Sequence, residues 1–476
     1  MLLQKSLQAT RQSVFTAALH GSGSAIATVH EYFNFYSLCT CLFSTHGLYP
    51  AQIPTLVKLF SKKIFSRVTK LVNRADTFQP VKVHLMKSPS GARHHSATEL
   101  VTAGRQYSEH GIVNPGVYHA STILYPDTGT LRSQNQPFTY GRKGTPTSRA
   151  LEETVAQLEG GHASRLTPSG LAAVASVMMA FLNTGDHVLV TDSAYRPTRN
   201  LCNGLLKRMG IEATFYDPLI GAGISSLMRP NTKLVMTECP GSQTFEVQDI
   251  PAIVTAAHAH GALVAADNTW SAGHYFKPFR HGCDISYQAA TKYLVGHSDC
   301  MMGCITVTEA HWQRFRAAYE EMGLCAGPDD IYLTLRGIRT LDVRLERHMK
   351  SALHMAEWLQ ARDEVAEVLH PGLPGAPGHD IWKRDFTGSS GLFGVVLKTG
   401  SEQAVDALLN TLTLFGMGYS WGGFESLAIP CDVTSYRTAT TWDREGCLLR
   451  LHIGLEDVGD LKKDLENGFR AMAAAG

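Results

Sequence analysis

No run of about 18 or more uninterrupted apolar residues occurs, the length a helix needs to cross a bilayer, so no transmembrane helix is expected. The body of the chain lacks clustered Lys and Arg, and 43 basic residues against 42 acidic ones leave a formal net charge of +1. That balance argues against nucleic acid as a partner, because neutralising phosphates requires concentrated positive charge. The ten cysteines are scattered, and neither Cys39/Cys41 nor Cys300/Cys304 has the paired spacing of a tetrahedral zinc site. No metal is therefore expected, and the thiols read as reduced and mostly packed. There is no G-x-G-x-x-G between a strand and a helix and no G-x-x-x-x-G-K-[ST], which weighs against a dinucleotide and against a P-loop nucleotide site.

What is present is a soluble composition, 44% hydrophobic and 18% charged over 476 residues, enough for two or three domains with buried cores. Residues 1–85 stand apart. They carry nine basic residues (Lys5, Arg11, Lys58, Lys62, Lys63, Arg67, Lys70, Arg74, Lys82) against Glu31 and Asp76. No compact apolar stretch leading to a small-residue cleavage site is found there, which weighs against a secretory signal. The segment reads as a leader outside the fold, disordered or not native, and an organelle-targeting role is left open. A cytoplasmic or organellar-matrix enzyme is the default, with the cytoplasm preferred.

From about Asp186 short apolar runs alternate with Ala-rich helical ones: DHVLVTD, LCNGLLKRMG, ATFYDP, KLVMTECP, IPAIVTAAHAHG and ALVAADNTW. Non-alternating apolar strands separated by helices predict a mainly parallel sheet covered on both faces. Ligands of such sheets sit at the carboxyl ends of the strands. Those ends carry Asp267, Lys292 and, after HVLVTDSA, Tyr195, while TPSGLAAVASVMMAFL predicts a helix whose first N–H groups, at Gly170 and Leu171, suit a phosphate. Beyond about Gly337 the pattern shifts to a long helix, a Pro/Gly-rich passage, SSGLFGVVLK, LLRLHIGLED and a final amphipathic helix, which predicts a smaller α+β domain.

Lys292 has no carboxylate within five residues on either side. A desolvated lysine loses pKa, and its neutral amine condenses with an aldehyde. An aspartate can pair with a pyridinium nitrogen, and an aromatic ring can lie on a flat heterocycle. Together with a phosphate-binding helix end, these groups match pyridoxal phosphate.

The segments YGRKGTPT (140–147), TPSGLAAV, DNTWSAG, SYQAATKYLVGHSD (286–299), YSWGGFESL (419–427) and RLHIGLED (450–457) resemble, in the same order, the Cys/Met-metabolism family of fold-type I pyridoxal phosphate enzymes. The resemblance runs from about Leu100 to the C-terminus. It implies an α/β fold with a seven-stranded, mainly parallel sheet in a large domain over 151–336 and a C-terminal α+β domain over 337–476. It also implies an arm over 86–150 that reaches the neighbouring subunit. By the same resemblance Lys292 carries the cofactor as an imine and serves as catalytic base, and Asp267 holds the pyridine nitrogen protonated. Tyr195 stacks on the ring, and Gly170, Leu171 and Thr291 hold the phosphate. Tyr140 and Arg142 reach the phosphate of an adjacent subunit, so dimers sharing active sites, paired into a homotetramer, are expected. Arg450 clamps the substrate α-carboxylate, with Tyr419, Ser420 and Trp421 lining the site. Tyr140 and Tyr195 join Lys292 as catalytic candidates.

Two departures stand out. Ala289 replaces a serine that would donate to the phosphate, and Lys143 stands where related β-lyases can carry arginine. The implied activity is carbon–sulfur bond cleavage in an amino-acid thioether, with β-elimination of L-cystathionine preferred. Trp421 crowding the cofactor is the reason, because γ-chemistry needs a second proton removal at Cβ. Cleavage of cystine and other cysteine S-conjugates is expected alongside it; γ-synthase, cystathionine γ-lyase and methionine γ-lyase chemistry, and more remotely a non-catalytic cofactor-binding regulator, are the alternatives.

Overall fold

The computed structural model describes residues 94–476. The leader expected over 1–85 and the first residues of the arm, 86–93, lie outside the described residues.

Seven strands form the first sheet: β1 (Ala163–Thr167), β2 (His187–Thr191), β3 (Glu212–Tyr216), β4 (Thr232–Glu238), β5 (Leu263–Asp267), β6 (Ile285–Gln288) and β7 (Gly303–Val307). Their order is β1-β7-β6-β5-β4-β2-β3. The run from β6 to β3 is parallel, and only β7 opposes its two neighbours. The interior strands are continuously apolar because helices cover both faces. Helices Gly170–Phe181 and Glu309–Glu321 pack on one side through Val177, Phe181 and Phe315, and helix Ile250–Ala259 packs on the other through Ile253 and Ala257.

The second sheet is antiparallel throughout, with β8 (Val365–Leu369), β9 (Leu392–Leu397), β10 (Leu427–Cys431) and β11 (Leu448–His452) in the order β10-β11-β9-β8. Helices Leu341–Gln360, Glu402–Thr411 and Val458–Ala475 cover one face through Met355, Leu408 and Phe469. The other face joins the first sheet: Leu392, Val396 and Leu448 share a core with Leu189, Val235 and Val264. A polar tie reinforces this seam. Asp192, just after β2, accepts the N–H groups of Thr438, Ala439 and Thr440 in the β10–β11 connection and pairs with Arg199 at 2.7 Å. Among the described residues no helix is long and apolar enough to cross a membrane.

Candidate active site

The carboxyl ends of β4, β5 and β6 point to one place. β5 ends on Asp267 beside Glu238, the last residue of β4, and β6 runs into the turn that carries Lys292. The Lys292 amine donates to Ser420 Oγ at 2.8 Å and lies 5.4 Å from the centre of the Trp421 ring. Burial pushes its pKa down from 10.5 to about 8; the Arg450 cation adds to the fall and Asp267 opposes it. The Asp267 carboxyl is raised to about 6 by burial, against the Thr269 hydroxyl and N–H it accepts and the charge of Lys292.

The helix Gly170–Phe181 starts against the same turn. Ser169 caps it by accepting from Ala172 N–H at 3.1 Å, which leaves the N–H groups of Gly170 and Leu171 without helical acceptors. A Cβ on Gly170 would stand 2.5 Å from Ala289 Cβ, so only glycine lets this helix end approach the Lys292 turn so closely. Tyr195 occupies the N-cap position of the next helix, Arg196–Leu201, and is 45% exposed.

From the second sheet, Arg450 on β11 enters the site 8% exposed. Its guanidinium donates only to the carbonyls of Gly418 (3.5 Å) and Ser420 (3.2 Å), and among the described residues no carboxylate pairs with it. A desolvated cation bonded only to neutral acceptors is a receptor for an incoming carboxylate. The 418–425 segment closes over Lys292. Gly422, at φ +86°, presses so near the Lys292–Tyr293 peptide that a Cβ there would meet its atoms at 2.9–3.0 Å.

Lys292, Asp267, Tyr195, Gly170, Leu171, Ser420, Trp421 and Arg450 thus share one site. The other four sit differently. The Thr291 hydroxyl is held by the main chain of Met302, to whose carbonyl it donates at 3.1 Å and from whose N–H it accepts at 2.9 Å. Tyr419 is 91% exposed and forms no wall against Lys292 within this chain. Tyr140 pairs through its backbone with Thr122, and Arg142 donates to the carbonyl of Glu320 at 2.9 Å; neither bonds Lys292, Asp267 or the 170–171 turn within the chain.

Two site residues escaped the sequence reading. Glu238 accepts the Tyr195 N–H at 2.7 Å, and burial, with Asp267 beside it, pushes its pKa well above the carboxylate range. It ends KLVMTE as Asp267 ends ALVAAD, and that shared strand-end position was the available signal. His452 lies two residues beyond Arg450 on β11, hence on the same face, and accepts the Gly422 N–H at 3.1 Å.

The residues fit pyridoxal phosphate: a dry lysine for its aldehyde, a carboxylate near that lysine for its ring nitrogen, and an uncluttered helix N-terminus for its phosphate. The comparisons agree. Cystathionine β-lyase of Escherichia coli is 46% identical over 385 residues, covering 78% of this chain and 97% of its own length. The enzyme of the same name from Haemophilus influenzae is 44% identical over 391 residues, covering 79% and 98%. Among solved structures, cystathionine γ-synthase from Xanthomonas oryzae pv. oryzae, in complex with aminoacrylate and cysteine, matches with a TM-score of 0.75 at 31% identity over 81% of this chain and all of that one. Residues 97–470 match the family described as Cys/Met metabolism PLP-dependent enzyme, and the chain belongs to that family, whose cofactor is pyridoxal phosphate.

Proposed function

We propose that the protein catalyses β-elimination of L-cystathionine, which with one water yields homocysteine, pyruvate and ammonia. The observation that carries this reading is the Lys292 amine, 2.8 Å from Ser420 Oγ with its pKa near 8, between a buried Arg450 and Asp267. Relatives of 44–46% identity that bear this activity in their names support the choice of reaction.

The bound cofactor supplies an electron sink for charge developing at the substrate α-carbon. Lys292 would hold its aldehyde, Asp267 its ring nitrogen and Tyr195 its ring face, and the N–H groups of Gly170 and Leu171 would hold its phosphate, the Thr291 proton being committed to the Met302 carbonyl. Arg450 takes the substrate α-carboxylate, exchanging two main-chain carbonyls for two carboxylate oxygens. Lys292, as a neutral amine, would take the α-proton and return a proton to the departing thiolate, and a pKa near 8 suits both roles at neutral pH. Ser420 steers the amine while Trp421 crowds the side of Cβ, where γ-chemistry would need a second proton removed.

In this reading Tyr140 and Arg142 serve the phosphate of a partner subunit, which accords with their having no bond to the site of their own chain. The assembly is a homotetramer of dimers in the cytoplasm. The arm over 86–150 makes the exchange, and a boundary near residue 337 divides the two larger domains.

γ-Chemistry is the second reading, favoured by the likeness to a solved γ-synthase. Products decide between them. Purified protein given L-cystathionine should release pyruvate and homocysteine; 2-oxobutyrate and cysteine would establish the γ-reading instead.

A further inference from the structure

Strand β11 presents Arg450 and His452 on one face, and the two side chains grip the 418–425 segment at four main-chain points. Arg450 donates to the carbonyls of Gly418 and Ser420. His452 accepts the Gly422 N–H at its Nε2 (3.1 Å), so its proton sits on Nδ1, which donates to the Glu425 carbonyl at 3.0 Å. The imidazole is 1% exposed. It is packed beside Tyr293 (5.9 Å) and His348 (5.3 Å). Around it stand His348 from the helix Leu341–Gln360, Arg450 on its own strand and Lys292 from the turn after β6. Burial first, then the neighbouring His348 and the basic groups of Arg450 and Lys292, push its pKa well below the ordinary imidazole value against the Glu425 carbonyl, so the ring is neutral. Both of its hydrogen bonds need that neutral Nδ1–H form.

What the ring holds is the part of the segment that touches the catalytic lysine. Gly422 lies on the Lys292–Tyr293 peptide, Trp421 packs on Tyr293 at 5.5 Å, and Ser420 Oγ accepts from the Lys292 amine. Arg450 cannot anchor this segment through turnover, because a substrate carboxylate draws it away from Gly418 and Ser420. We infer that His452 is a positioning residue, the fixed anchor that keeps Ser420 and Trp421 over Lys292 while Arg450 changes partners. The inference deepens the proposed function and rests on it for the identity of the arginine's ligand.

The test compares His452→Leu, which removes both bonds, with His452→Gln, whose side-chain oxygen can accept the Gly422 N–H. Amide hydrogen exchange is read on the peptide spanning 418–425 in the cofactor-loaded enzyme without substrate, with steady-state kinetics on L-cystathionine alongside. Loss of one buried hydrogen bond predicts at least about tenfold faster exchange at Gly422 in the Leu variant, restored in good part by Gln. kcat should fall by about tenfold or more while KM moves less, because Arg450 still binds the carboxylate. If the Leu variant does not fold, His452→Asn replaces it, since the shorter amide can serve Glu425 but not Gly422. Wild-type exchange at Gly422 in the folded Leu or Asn variant, or a change in KM alone, would overturn the anchor role. A wild type that releases 2-oxobutyrate would overturn the choice of reaction and leave the exchange result standing.

Discussion

The chemistry concentrates in a few titratable side chains whose environments push them away from solution behaviour. Lys292 is held near pKa 8 in the fold, whereas an unfolded lysine titrates at about 10.4. Its folded pKa is the lower one, so the unfolded chain binds the extra proton between those values and the folded state gains as pH rises through them. Cofactor-stripped Lys292→Met should therefore melt above cofactor-stripped wild type at pH 7, with the advantage fading towards pH 10. Scanning calorimetry at the two pH values checks it. Glu238 carries the opposite shift: burial, with Asp267 beside it, raises its pKa and favours the neutral carboxyl. Glu238→Gln should then keep activity within about threefold, whereas Glu238→Ala leaves the Tyr195 N–H without its acceptor and should cost about tenfold or more in kcat/KM. Lys292 and Asp267 were legible in sequence because each ends an apolar run without a local partner. Glu238 was not, because a glutamate at the end of TKLVMTE looks like an ordinary strand-end charge until β4 is laid beside β5.

At the scale of elements, most strands and helices of the parallel sheet could be written down from hydrophobic runs, and the helix from Gly170 begins where its serine cap predicts. The antiparallel strands were harder to see. β7 carries GCITV, which reads no differently from a parallel strand, and its direction is decided by the return of the chain after the Lys292 turn. β10, LAIPC, contains a proline tolerated because the strand lies at a sheet edge. Where helix and turn meet, the fit is testable. Gly170→Ala places a Cβ 2.5 Å from that of Ala289, so the helix end or the 289–292 turn must shift. Cofactor affinity, titrated by absorbance, should drop at least about tenfold, with a far smaller change in melting temperature, because the strain falls on the cradle rather than on a core.

For the molecule as a whole, the seam between the two sheets decides whether the site exists. Asp192 is its polar fastening. Burial alone would raise its pKa, but the Thr438 and Thr440 donors and Arg199 hold it below the ordinary carboxylate value. A depressed folded pKa means stability that is present above the unfolded value of about 3.9 and is lost as pH falls through the folded one. Asp192→Ala also strands a buried guanidinium, and should cost about 3–5 kcal/mol near neutrality, with a gap to wild type that narrows below about pH 4 in urea titrations. No sequence pattern announced the contacts of Asp192 with Thr438 and Thr440, whose ends lie 246 and 248 residues apart in the chain. One outcome of that seam reaches the site itself. The Lys292 amine follows a strand of the first sheet and the Arg450 guanidinium stands on a strand of the second, so in the proposed reaction slippage between two intact halves would silence the catalyst while its far-ultraviolet circular dichroism still read as native.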